Sequence, residues 1–477
     1  MRKLLLALNA ALKVDSRPSL KIKTVTMRTK MMEISGWGRY PRGLSKVARP
    51  ERMNEAVPPP EGQMIARGQG RSYGNAAMSA DGLVMLTERL NRFLAFDPET
   101  GVLRAEAGAT IAEVLQTFVP RGWFPAVTPG TKFVSLGGCV AADVHGKNHH
   151  RNGTLGNHVA EIELVLADGE RRRCSPQQDK ELFWATVGGM GLTGIITEVS
   201  LQLIPIESAY VVVQHHKARN LDESLALLED RAFDDDYTVA WLDCLARGES
   251  FGRSVLMRGH HAKLSELPSS VKEPLKLKPY RQRNVPFDFP GWFLKPLSVS
   301  LFNRLYYFSQ AARKKPFVAT YESFFYPLDR LGNWNRMYGK RGFLQYQCVV
   351  PAAQARRGLQ RLLQELARSG RASFLTVLKR LGAEGPGLLS FPTEGYTLTL
   401  DLPLSDPELF PFLDRLDEIV LEHGGRIYLA KDTRVKAETF RAMYPRFPEW
   451  QQIKAQIDRD NCFSSDLARM LNVGAGA

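Results

Sequence analysis

Two glycine-rich stretches constrain this chain more than any other feature. The first is Ala66, Arg67, Gly68, Gln69, Gly70, Arg71, Ser72, Tyr73, Gly74 and Asn75. The second runs from Leu136, Gly137 and Gly138 through Ala142 into a polar run with His145, Lys147, His149 and His150. Glycine reaches backbone conformations closed to other residues. Successive amides in such turns form a concavity that holds an anion, a pyrophosphate among them. One loop of this kind arises by chance; two in one chain point to a dinucleotide lying between them. No cluster of carboxylates or cysteines accompanies the histidines, so no metal site is expected.

A third glycine match has the wrong setting. Gly189, Gly191 and Gly194 fit the dinucleotide fingerprint that follows a strand and opens a helix. Here Asp179 reads as the N-cap of a helix from Lys180 to Val187, and Ile195 to Leu203 alternates like a strand. The order is helix, glycines, strand, which argues against a Rossmann site.

The 477 residues exceed one ordinary core, so two domains are expected. A hydrophobic content of 44% suits a globular enzyme. Five cysteines without a C-x-x-C pair argue against a disulfide framework or zinc. The formal charge of +14 favours anionic partners. No nucleic-acid module is present, so no nucleic-acid partner is expected; a phosphate-bearing lipid or a membrane surface suits the charge better. Residues 1–34 form a basic N-terminal extension whose start mimics a signal peptide. It reads as a mobile extension, a basic amphipathic anchor or a cleaved signal.

Further along, Phe93 to Phe96 and Val102 to Ala107 read as a hairpin, Thr110 as the cap of a helix through Val119, and Glu161 to Leu166 with Glu170 to Cys174 as a second hairpin. This is an α+β pattern rather than a βαβ series. Helical stretches are expected over Leu221 to Phe233 and Ala352 to Ser369. Residues 262–318, rich in Pro, Lys and Arg, read as a long irregular stretch. It is either packed on its own domain or serves as a lid or membrane-docking surface.

The first loop, the histidine run and five later motifs together resemble the vanillyl-alcohol-oxidase type of FAD-binding flavoproteins, also called the PCMH type. Those motifs are Leu182–Gly188, Trp334–Gly339, Phe343–Gln347, Ala430–Asp432 and Met443–Arg446. Within that family they are most similar to the flavin oxidases of decaprenylphosphoryl-β-D-ribose, which serve arabinan precursor synthesis for the cell wall. The resemblance covers Gly36 to Leu471. It implies an FAD-binding domain over 35–205, an α+β substrate-binding domain over 206–424, and a segment 425–477 returning to the first domain.

The resemblance also implies roles. FAD is expected to lie on residues 66–75 with Gly130, Ser135, Leu136, Gly137, Gly138, Ala142, His145, Ile196 and Tyr428. Relatives with covalent flavin carry His where this chain has Arg71, so the FAD is expected to be non-covalent. Lys431, His145 and Tyr73 are the candidate catalytic residues, and Lys147, Trp241, Gln345, Gln347, Lys379, Thr397 and Thr399 the candidate substrate contacts. Strand alternation independently puts Gln345 with Gln347, and Thr397 with Thr399 and Asp401. The pocket departs from the family: Thr397 and Thr399 replace Asn and Cys, and Phe325 replaces a tyrosine.

The expected activity is FAD-dependent oxidation of a secondary sugar hydroxyl, C2 of a polyprenyl-phosphoryl ribose. A separate NAD(P)-dependent reductase would complete an epimerisation. The expected location is cytoplasmic or at a membrane periphery, with the periplasm open. The rivals are an alditol or sugar-lactone oxidase of the same fold, and a non-catalytic flavin-fold subunit of a membrane assembly.

Overall fold

The computed structural model describes residues 28–230, 235–277, 282–290, 294–311, 315–373 and 375–474. Three sheets organise these residues. The first holds β1 (Thr29–Ser35), β2 (Arg42–Ala48), β3 (Met64–Arg67) and β4 (Leu83–Leu86) in the order β1-β2-β4-β3. The second holds β5 (Phe93–Phe96), β6 (Val102–Glu106), β8 (Val159–Val165), β9 (Arg171–Cys174) and β10 (Ile195–Pro205), with β7 (Trp123–Pro125) pairing the far end of β10.

The third sheet runs β15 (Phe317–Thr320), β11 (Tyr210–Ala218), β13 (Ser254–His261), β12 (Tyr237–Leu242), β18 (Thr376–Leu381), β19 (Gly395–Pro403), β17 (Phe343–Pro351) and β20 (Arg426–Ile427). A short parallel pair joins β14 (Arg283–Asn284) to β16 (Leu331–Gly332). The architecture is α+β, as expected.

Local chemistry explains the elements. Thr110 caps the Ile111–Phe118 helix in a reciprocal box: its hydroxyl accepts from Glu113 N at 3.1 Å, and the Glu113 carboxylate accepts from Thr110 N at 2.7 Å. The β5–β6 turn closes on Asp97, whose carboxylate takes Glu99 N at 2.9 Å and the Thr100 hydroxyl at 2.7 Å. In the Ala355–Ser369 helix, Leu359, Leu362, Leu363 and Leu366 form one buried stripe. That stripe meets Leu398, Leu400 and Leu402 of β19 and Tyr346 and Cys348 of β17 in the main core. The opposite face of β17 and β19 is therefore left for polar residues.

Four local expectations need correction. β1 occupies residues 29–35, so part of the stretch read as an extension is a paired strand; the readings offered for residues 1–27 lie outside the described residues. The Leu221 helix ends at Glu229. Asp179 stands at the N-cap of the Lys180–Thr186 helix, but its backbone is left-handed (φ 52°) and its side chain caps nothing. Residues 262–318 are not wholly irregular, because they contain a helix over Pro296–Ala311. That helix carries apolar residues on nearly every side, which hides its period.

Candidate active site

β3 ends at Arg67, and the first glycine loop leaves the sheet there. The Arg67 guanidinium turns back to donate to Ser35 O at 2.6 Å and Ala77 O at 3.1 Å, so it braces the loop. Gly68 lies against Ser135: a Cβ at residue 68 would run into the Ser135 hydroxyl. The two glycine stretches therefore touch. Ser135 caps the Leu136–Ala141 helix by accepting from Gly138 N at 3.3 Å. Leu136 is fully buried and anchors it. A Cβ at Gly137 would stand 2.8 Å from Ala107 Cβ and 3.6 Å from Ile196 Cβ, which brings Ile196 to the same cradle. Around Gly130 there is open space.

Polar atoms face this cradle without protein partners. Arg71 Nε and Asn75 Oδ1 are buried and make no hydrogen bond among the described residues. The Arg71 guanidinium lies 4.1 Å over the Trp37 ring, and burial lowers its pKa against the pull of Asp329. Buried polar atoms are normally paired, so these fit the polar parts of a bound FAD. Gln69 and Ser72 line the same turn, Ser72 accepting from Trp37 N at 2.8 Å.

The far end of the loop is sewn to the turn carrying Lys431. Tyr73 N donates to Ala430 O at 3.1 Å, and a Cβ at Gly74 would strike the Asp432 carbonyl. Lys431 Nζ sits 4.1 Å over the Tyr73 ring. Burial lowers Lys431 to about 7, with Asp401 opposing and Lys379 reinforcing the shift. Asp401 itself is pushed up to about 7 by burial. Its carboxylate accepts from Gln345 Nε2 at 2.6 Å and from the Tyr338 hydroxyl at 3.2 Å.

His145 is buried, and burial holds its pKa well below the usual histidine value, so its ring is neutral. Gln347 Nε2 donates to His145 Nε2 at 3.1 Å and to Thr397 Oγ1 at 3.2 Å. The proton then belongs on His145 Nδ1, a buried donor without an acceptor among the described residues. The Tyr428 ring stacks at 4.7 Å on Phe391, while its hydroxyl donates to Ala142 O at 2.7 Å.

Register completes the wall. Thr397 pairs with Lys379 on β18, and Thr399 with Gln347 on β17 and Val377 on β18. Val377 in turn faces Trp241 on β12. Gln345, Gln347, Thr397, Thr399, Lys379 and Trp241 thus share one sheet face. Burial lowers Lys379 to about 8. Lys147 stands apart from this wall in one respect: its ammonium donates to the Phe324 carbonyl and lies 4.1 Å over the Phe324 ring. Burial lowers it to about 7, with Lys379 adding to the shift. Phe325 packs on Tyr237 at 4.7 Å, and Tyr326 shares a hydrogen bond with Thr128.

Sequence reasoning missed Tyr338 and the role of Asp401. Tyr338 lies in a quoted motif and Asp401 on a quoted face, but only the fold shows that they meet.

Comparisons with known proteins show the family. A family model of the FAD binding domain matches residues 60–175, and one of D-arabinono-1,4-lactone oxidase matches residues 398–471. The chain is 39% identical over 462 residues to decaprenylphosphoryl-β-D-ribose oxidase of Mycolicibacterium smegmatis, spanning 95% of this chain and 100% of that one. It is 23% identical over 405 residues to L-gulono-1,4-lactone dehydrogenase of Mycobacterium tuberculosis, spanning 85% and 89%. Cytokinin dehydrogenase 4 of Arabidopsis thaliana matches at 31% over 148 residues, 30% of this chain and 28% of that one. With the glycine cradle facing an amine and a polar wall, the chain is an FAD-dependent oxidoreductase of CH–OH groups and belongs to the decaprenylphosphoryl-β-D-ribose oxidase family.

Proposed function

We propose that this chain oxidises the C2 hydroxyl of polyprenyl-phosphoryl-β-D-ribose to the 2-keto sugar, with its FAD held non-covalently. A separate NAD(P)-dependent reductase would then return the ketone as the arabinose form. The observation that carries the reading is the placement of Lys431, near neutrality at its buried site, beside a wall of amides and hydroxyls. Bound FAD supplies the hydride acceptor. Lys431 takes the hydroxyl proton, and the Tyr73 ring face receives the ammonium so formed. Gln345, Gln347, Thr397 and Thr399 offer partners to the sugar, and His145 Nδ1 a further donor. Lys379 and Lys147 supply positive charge for the phosphate, and Trp241 an apolar border. Among the described residues no helix is long and apolar enough to cross a membrane. The lipid tail of the substrate brings the protein to a membrane surface, cytoplasmic or periplasmic.

The test is anaerobic flavin bleaching by polyprenyl-phosphoryl ribose, compared with free alditols and sugar lactones. Preferential bleaching by the lipid-linked sugar is expected. Faster bleaching by a lactone would favour the rival suggested by the 398–471 match, and no bleaching by any of them would favour the non-catalytic one.

A further inference from the structure

The Pro296–Ala311 helix is apolar on two opposite sides. Val299, Asn303 and Tyr307 recur every four residues and are buried, at 3%, 0% and 3% exposure. Asn303 donates to Asp243 Oδ1 at 2.8 Å, and Tyr307 packs with Trp241 and Val255. This row fixes the helix to the third sheet. Leu297, Leu301, Leu305 and Phe308 occupy the opposite side, at 84%, 60%, 63% and 51% exposure. Their spacing puts them in one row, and Phe302, at 46%, borders it. A helix lying on a globular surface ordinarily turns polar residues to water, and a contiguous exposed apolar row marks an interaction surface.

The surroundings select the partner. Lys295, Arg304 and Lys315 lie within or beside the helix, and the sequence from 295 to 315 contains no Asp or Glu. Lys217 Nζ stands 5.6 Å from the Phe308 ring. An apolar row on a segment whose only charges are basic matches the acyl boundary of an anionic bilayer, whose phosphates draw Lys and Arg. The location is consistent with this. The Trp241 ring meets Tyr306 at 4.7 Å, and Leu294, just before the helix, packs on the cluster that holds Tyr73. The helix that carries the row therefore borders the polar wall of the active site through its packed side.

We infer that the Pro296–Ala311 helix docks the protein on an anionic lipid surface, with Leu297, Leu301, Leu305 and Phe308 in the acyl boundary. The inference stands on the helix and its charges, independently of which sugar is oxidised. Flotation of the full-length, FAD-loaded protein with vesicles of equal parts phosphatidylglycerol and phosphatidylcholine tests it. The parent should float, and high salt or pure phosphatidylcholine should weaken the association. Leu301→Ser/Leu305→Ser/Phe308→Ser should lower partitioning at least about tenfold while keeping its flavin and circular dichroism. Arg304→Glu, which leaves the apolar row intact, should weaken binding to the anionic vesicles alone. A parent that stays with the aqueous phase, or a triple variant that floats like the parent, overturns the inference. So does a concentration-dependent dimer that the triple variant abolishes, since the row would then serve a second copy of the chain.

Discussion

At the scale of single residues, Lys431 is where environment decides chemistry. Burial removes water from the ammonium and lowers its pKa to about 7, although Asp401 pulls the other way. The neutral amine, which accepts a proton, therefore grows as pH rises through that value. Stopped-flow flavin reduction by substrate should accelerate over the same interval and then level. Lys431→Ala should keep its FAD, lose about 10²- to 10⁴-fold in reduction rate, and lose that rise with pH. Reduction within a few-fold of the parent would remove Lys431 from the reaction. A second residue bears on the proposed non-covalent attachment of the flavin. Arg71 lies over Trp37 and offers no ring nitrogen for a flavin bond, so acid precipitation should release all the flavin. Colour left in the washed pellet would contradict this. Much of the candidate site was legible at this scale, because glycines and histidines in dense runs carry few structural explanations. Tyr338 and Asp401 were not, since alternation assigns a residue to a face without saying what lies across from it.

At the scale of elements, the argument rests on register. β19 lies between β17 and β18, which brings Thr399 level with both Gln347 and Val377. Side chains alternate along a strand, so a slip of one residue would turn Thr399 into the leucine core. The hydroxyl of Thr399 is a far weaker nucleophile at neutral pH than a thiol. Electrophiles generated in the site should inhibit this protein reversibly, and Thr399→Cys should confer covalent capture. Intact-mass spectrometry after turnover reads the outcome. An adduct on the parent at residue 399, or none on the cysteine variant despite binding, would show that this position does not face the reacting atoms. The strands were readable because their two faces differ in chemistry. The Pro296–Ala311 helix was not, because leucines and aromatics on both its sides leave no polar stripe to give a period of 3.6.

At the scale of the whole molecule, the sheets are separate in topology but share their packing. The largest core cluster joins Ile65 and Val84 of the first sheet, Leu344 and Leu400 of the third, and Trp450 and Leu467 near the C-terminus. The C-terminal chain is bound back to the first sheet by Met64 N donating to Cys462 O at 2.7 Å and Ser464 N to Met64 O at 2.9 Å. Sequence alone suggested this return only through resemblance, since no periodicity tells one sheet's partner from another's. Trp450 is the most informative probe of it. Its ring is fully buried, and its Nε1 donates to Ala185 O at 2.8 Å, next to the Gly189–Gly194 turn that mimics a nucleotide loop. Gly189 instead leaves this contact clear: a Cβ there would strike the Ala185 carbonyl that accepts the indole N–H and would lie 3.2 Å from Trp450 Nε1. Trp450→Ala should cost about 3–5 kcal/mol through the cavity it leaves. Trp450→Phe should cost less, about 1–3 kcal/mol, mainly for the carbonyl deprived of its donor. Because one core spans the first and third sheets, each variant should unfold in a single transition, with flavin release and loss of circular dichroism coincident. Flavin released well below the temperature at which the third sheet melts would show that the two sheets unfold separately and that the shared core does not couple them.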